Sequence, residues 1–160
     1  MDVLLILFLF AITLHNLEEA IWLPSWSQQE IKFQKPVGKN EFYFALIIIT
    51  SFAYLTTFLY LYFPNSSIAK YVIVGLLGSM MFNAIIPHLL LTILHRSYAP
   101  GVVTGICLII PINGLILYRF LQNKEIELDE LFLSTLIVGG VLLSLLPILF
   151  RLGKYVTNRL

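Results

Sequence analysis

The sequence predicts an all-α protein: a polytopic membrane helix bundle of about five transmembrane helices, forming one domain over residues 1–160. Three observations carry that reading. The chain is 59% hydrophobic and 12% charged, with mean hydropathy +0.89, whereas soluble domains run at about 45–50% apolar and about 25% charged. Five stretches reach the ~20 predominantly apolar residues that cross a bilayer, at roughly 3–23, 42–63, 68–94, 102–121 and 131–152. The segments between them are built of turn formers and charges, as in Pro24-Ser25-Trp26-Ser27, Pro64-Asn65-Ser66-Ser67, Tyr98-Ala99-Pro100-Gly101 and Gln122-Asn123-Lys124-Glu125. There is no internal repeat.

The same composition excludes some functions. A net charge of +1 gives no electrostatic footprint for nucleic acid. The single cysteine, Cys107, rules out an intrachain disulfide and a zinc site of several cysteines. Any metal must be held by His and carboxylates.

The first run is uncharged from Val3 to Leu14. It reads as a retained span, because Asp2 stands where a signal peptide is basic and no Ala-x-Ala follows. It then meets His15-Asn16-Leu17-Glu18-Glu19. Residues three and four apart on a helix are neighbours, so His15, Glu18 and Glu19 share a face. Each ionisable group near the bilayer centre costs roughly 2.5–3.5 kcal/mol, so three together call for a partner or a task. The connection from Pro24 to Glu41 mixes Trp26, Ile31 and Phe33 with Lys32, Lys35 and Lys39, which suits a segment at headgroup level.

In the second run Tyr43, Tyr54, Tyr60 and Tyr62 read as interfacial or lipid-facing aromatics. The third carries Gly75, Gly78 and Ser79, the fourth Gly101 and Gly105, and the fifth Gly139, Gly140 and Ser144, small residues that let membrane helices approach closely. Pro87 should bend the third span and free a backbone carbonyl. Pro111, Asn113 and Gly114 make a polar break in the fourth that reads as packing. The acidic stretch Glu125, Glu127, Asp129 and Glu130 reads as a solvated connection.

Basic residues set the expected orientation. Lys32, Lys35, Lys39, Arg96, Arg151, Lys154 and Arg159, seven in all, fall on one side, against three on the other, Lys70, Arg119 and Lys124. The positive-inside rule makes the first side cytoplasmic, with the N-terminus outside and the C-terminus cytoplasmic. At 1.5 Å per residue His15 then lies about 12 Å from the cytoplasmic end of its span, and His88, seven residues before His95, about 10 Å deep in the third. His15, Glu18, Glu19 and His88 therefore share a layer, with Asn83, Tyr98 and Thr104 beside it and Thr50 and Ser51 as further candidates.

Neutral imidazole and carboxylate suit zinc, iron or manganese, and a helix offers such ligands at spacings of three and four. The acids are too few for a two-metal site of the four-Glu, two-His type, so a single ion fits better. The plainer alternative is a His–Glu pair that shares a proton and pins helices together. His95, beside Arg96 at the end of its span, reads as an interface residue.

His15-Asn16-Leu17-Glu18-Glu19 fits His-x-x-Glu-Glu, a further histidine follows, and Tyr98-Ala99-Pro100-Gly101 fits Tyr-x-Pro-Gly. In this order, in a small hydrophobic chain, these motifs resemble the HXXEE-domain family of small multi-pass membrane proteins. The resemblance covers roughly residues 1–120. It leaves the further histidine open between His88 and His95, and depth favours His88. It implies a shared site rather than a particular reaction.

The expected function is a membrane-embedded, metal-dependent enzyme acting on a lipid or hydrophobic small molecule at the cytoplasmic leaflet. His15, Glu19 and His88 would hold a divalent metal ion, zinc or iron. Glu18 would be general acid or base, Tyr98 would help orient substrate, and Asn83, His95, Pro100, Gly101 and Thr104 would surround it. Hydrolysis, isomerisation and oxidation all fit these side chains. The alternatives are a proton-coupled transporter or lipid-binding protein using the same cluster without catalysis, and a structural or assembly subunit.

Overall fold

Residues 2–28 and 36–157 are described by a computed structural model. Five helices in it are long and apolar enough to cross a membrane: α1 Asp2–Trp26, α2 Lys39–Tyr62, α3 Ser67–His95, α4 Val102–Gln122 and α5 Leu128–Thr157. Among the described residues there is no strand. The helices run a few residues past the apolar runs because the flanking polar residues start or cap them. Ser66, for instance, accepts the Ala69 N–H through its side chain at the start of α3. Ile31, Lys32, Phe33, Lys35 and Arg159 lie outside the described residues, and with them most of the headgroup-level reading of the first connection.

The bundle is organised on α3, which packs along α5, against α2 and against α4, while α1 lies between α2 and α4. Its buried core joins Leu5, Phe8 and Ile12 of α1 to Ile73, Leu76 and Leu77 of α3 and to Ile109, Ile116 and Phe120 of α4. The outward face of α5 is apolar, with Leu136 72% exposed, as a lipid-facing helix should be. Buried Asn113 donates to the Leu77 carbonyl at 3.0 Å and so ties α4 to α3, the packing role expected of that polar break.

Small residues explain how closely α3 and α5 approach. A Cβ on Gly75 would lie 2.5 Å from the Ser134 carbonyl oxygen, and one on Gly78 would collide with the Thr135 hydroxyl. Ser79 stitches the seam by donating to the carbonyls of Gly75 and Thr135. Gly140 has nothing within 4 Å of such a Cβ. Gly75→Ala should therefore destabilise by about 1–3 kcal/mol through overpacking against backbone. Gly140→Ala should be neutral or stabilise by up to about 1 kcal/mol through helix propensity. Thermal unfolding of the two variants side by side in one detergent checks the pair, and equal melting temperatures would count against this packing.

Two sequence expectations need correction: Gly140, read as a residue that lets helices approach, faces open space, and Tyr60 is not at the surface. Tyr60 is buried, stacked edge-on against Phe120 and donating to Glu125 at 3.4 Å, so it is no interfacial anchor. The acidic connection is solvated at Glu127 and Asp129 as expected and is also tied to α3, where Lys70 donates to the Glu125 carbonyl at 2.7 Å and Tyr71 to the Glu130 carboxylate at 2.6 Å.

Both helices that flank the third connection are irregular. Before Pro87 α3 breaks, with Ile86 non-helical at φ −127°, ψ 110°. Gly105–Ile109 of α4 instead widens into a π-helical turn. The two irregular stretches face each other, since a Cβ on Gly105 would stand 3.0 Å from that of Ala84.

Candidate functional site

The buried stripe of α1 is apolar through Leu5, Phe8 and Ile12 and turns polar at His15 and Glu19, residues that continue the same three-and-four spacing. The break at Ile86 and Pro87 brings His88 of α3 to that stripe. Its Nε2 lies 2.8 Å from Glu19 Oε1, and His15 Nε2 lies 3.7 Å from the same oxygen. The imidazoles meet edge to face with centroids 5.3 Å apart, and His15 and His88 are only 1% and 4% exposed. One donor atom from each of His15, Glu19 and His88 lies within 4.8 Å of the others, so the three could hold a metal ion. Bonds of about 2.0–2.1 Å around a tetrahedral ion put neighbouring ligand atoms about 3.3 Å apart. The two separations from Glu19, 2.8 and 3.7 Å, bracket that value, and the two imidazole donors lie within 4.8 Å of each other. Asn83 Nδ2 lies 3.1 Å from the same His88 Nε2.

Glu18, one residue before Glu19, points elsewhere because adjacent helical residues diverge by about 100°. It meets the start of α4. Oε1 accepts the Tyr98 hydroxyl at 2.6 Å and the N–H groups of Gly101 and Val103 at 2.9 and 3.3 Å. Oε2 accepts the Thr104 N–H at 2.8 Å and the Thr104 hydroxyl as well. The carboxylate thus fills the role of a cap for the unpaired first amides of α4. The geometry depends on Gly101, which sits at φ 93°, ψ −13°. Partial burial, then its hydrogen bond to Glu18 and the charge there, push the Tyr98 phenol above its usual range. Its O–H therefore remains a donor at neutral pH, and the stability it contributes is lost only as pH rises through that raised value.

Of the remaining expected residues, Pro100 is buried in the turn before α4 and His95 is exposed at the end of α3. The group brought together is thus the one containing His88. Thr50 lies on the other side of α1, accepting from Asn16 at 2.7 Å. Both line an apolar groove of about 470 Å³ between α1 and α2 that also includes Ser51. Thr92 was not singled out from sequence. Its hydroxyl donates to the His88 carbonyl at 2.8 Å and accepts the Ala99 N–H at 3.2 Å, holding the third connection against α3. Its position one turn after His88 was the available signal.

A family model described as "Protein of unknown function with HXXEE motif" matches residues 6–116. The chain is 56% identical over 150 residues, 94% of its length and 95% of the relative's, to "Uncharacterized protein YrkK" of Bacillus subtilis (strain 168). No solved structure matches.

Proposed function

The chain belongs to the HXXEE family, and from that premise we propose that it is a membrane-embedded, metal-dependent enzyme acting on a lipid or other hydrophobic substrate. His15, Glu19 and His88 hold a divalent ion, zinc or iron. The observation that carries the reading is His15 Nε2, a buried nitrogen with no hydrogen-bond partner, facing Glu19 within a group of three donors. Leaving such an atom unpaired costs about 1–3 kcal/mol, and coordination would satisfy it. Three protein ligands, two imidazoles and one carboxylate, also match the open arrangement of catalytic rather than structural zinc.

Bound there, the ion would supply Lewis-acid polarisation of a substrate oxygen. Of the chain's own groups, Thr104 orients the His15 ring through Nδ1, whereas Asn83 Nδ2 meets the His88 nitrogen that would face the ion. Glu18, which the sequence suggests as general acid or base, is in this reading a positioning residue, because both its oxygens are already engaged by donors. Tyr98 has likewise committed its hydroxyl to Glu18. Its half-exposed ring and that of Trp22 meet edge-on at 6.3 Å and give the margin of the site an aromatic surface suited to a hydrophobic substrate. With the basic residues inside, the site would lie in the cytoplasmic half of the bundle.

Elemental analysis of detergent-purified protein is expected to find close to one zinc or iron per chain. His15→Ala and His88→Ala should weaken binding by more than the ~10–100-fold that loss of an outer hydrogen-bond partner costs. Metal-free wild type with an unchanged melting temperature would overturn the reading. So would pH-dependent uptake into proteoliposomes without chemical conversion, the signature of the transporter alternative.

A further inference from the structure

We infer that Thr104 is a positioning residue that decides which nitrogen of His15 is bare, acting as the middle link of a chain that runs from the start of α4 through Glu18 and Thr104 to His15. Only its functional consequence rests on the metal reading above.

The assignment follows from counting protons. A backbone N–H can only donate, and Glu18 receives those of Gly101 and Thr104 at 2.9 and 2.8 Å, one on each oxygen. The Tyr98 hydroxyl adds a third donor at 2.6 Å. These donors, with the Val103 N–H at 3.3 Å, all favour the ionised carboxylate, which accepts from each of them. An anion only accepts, so the single proton of the Thr104 hydroxyl goes to Glu18 Oε2. That leaves Thr104 Oγ1 as an acceptor, 3.0 Å from His15 Nδ1. Two acceptors would not sit at that distance, so Nδ1 carries the imidazole proton.

A neutral imidazole has one N–H, and Nε2 is then a bare lone pair. A doubly protonated ring would instead bury an N–H whose nearest carboxylate oxygen is 3.7 Å away, too far to accept it. The bare Nε2 faces Glu19 in the group that also includes His88. A hydroxyl backed by a carboxylate here does what a carboxylate or carbonyl commonly does behind a metal-bound histidine: it fixes both the tautomer and the ring plane.

Thr104→Val keeps the backbone N–H and the side-chain shape but deletes the hydroxyl, and Thr104→Ser restores the hydroxyl. In chelator-treated protein in detergent micelles, nitrogen NMR of the histidine rings, with His15 assigned by comparison with His15→Ala, should show His15 protonated at Nδ1 in wild type and Thr104→Ser. It should show a shifted or mixed tautomer in Thr104→Val. Zinc affinity by chelator competition should fall about 10–100-fold in Thr104→Val and recover in Thr104→Ser to within about threefold of wild type. A wild-type His15 protonated at Nε2, or a Thr104→Val protein with the wild-type tautomer, overturns the proposal. If Thr104→Val does not fold, the wild-type tautomer decides alone. Wild type that shows the Nδ1–H ring yet binds no zinc removes the metal reading and leaves the Thr104 assignment standing.

Discussion

Glu18→Gln should destabilise the protein nearly as much as Glu18→Ala, by about 3 kcal/mol, because an amide cannot replace this carboxylate. The group accepts from Tyr98, Gly101, Val103 and Thr104 and donates to nothing. Gln keeps one acceptor oxygen and turns an NH2 toward hydrogens already pointing at it, so the conservative substitution strands donors and adds a repulsion. Thermal unfolding in detergent, with circular dichroism to follow helix content, measures the loss. The result also separates two roles for the residue. A proton-transfer group changed to Gln leaves a folded, inactive protein, whereas a cap changed to Gln loses stability and activity together. A Glu18→Gln protein with the wild-type melting temperature would falsify the capping role.

Gly101→Ala should fail for two independent reasons. At φ 93° an alanine is held in the left-handed region, at a cost of roughly 1–2 kcal/mol. Its Cβ would also stand 2.8 Å from His88 Cε1, 2.9 Å from His88 Nδ1 and 3.1 Å from His15 Cε1, so neither imidazole can stay in place. Overpacking of this kind adds about 1–3 kcal/mol. The expected total is about 2–5 kcal/mol, together with a loss of zinc affinity much larger than in Gly75→Ala, which strains the α3–α5 seam away from the histidines. Zinc competition and melting curves on the two variants provide the comparison. A Gly101→Ala protein that melts and binds zinc as wild type does would remove the close packing of the turn on the imidazoles.

Much of this arrangement was legible in the residues themselves. Helix length per residue is fixed, so apolar run lengths locate the five spans, and counting from the span ends placed His15 and His88 at one depth. That count also favoured His88 over His95: the two are seven residues apart, but the first is buried beside Glu19 and the second is exposed near the connection. What did not show was the cap. The sequence sets Glu19 with the histidines and Glu18 apart as general acid or base, and only the position of the α4 N-terminus tells that Glu18 serves as its cap. The burial of Tyr60 was hidden for a similar reason, since it depends on Phe120 and Glu125, sixty residues further along. Tyr98-Ala99-Pro100-Gly101 could be read as a turn, but the reason for its glycine lies in side chains that come from two other helices.

The capping carboxylate also bears on biogenesis. Residue 18 emerges early in synthesis, while the amides that satisfy it belong to residues 101, 103 and 104. Until the fourth segment packs beside the first, this carboxyl lacks the donors that satisfy it, at a depth where unpaired polar groups are expensive. Its pairing is therefore a late event that locks the two segments in register, and the same event presents the His15 ring in its final pose.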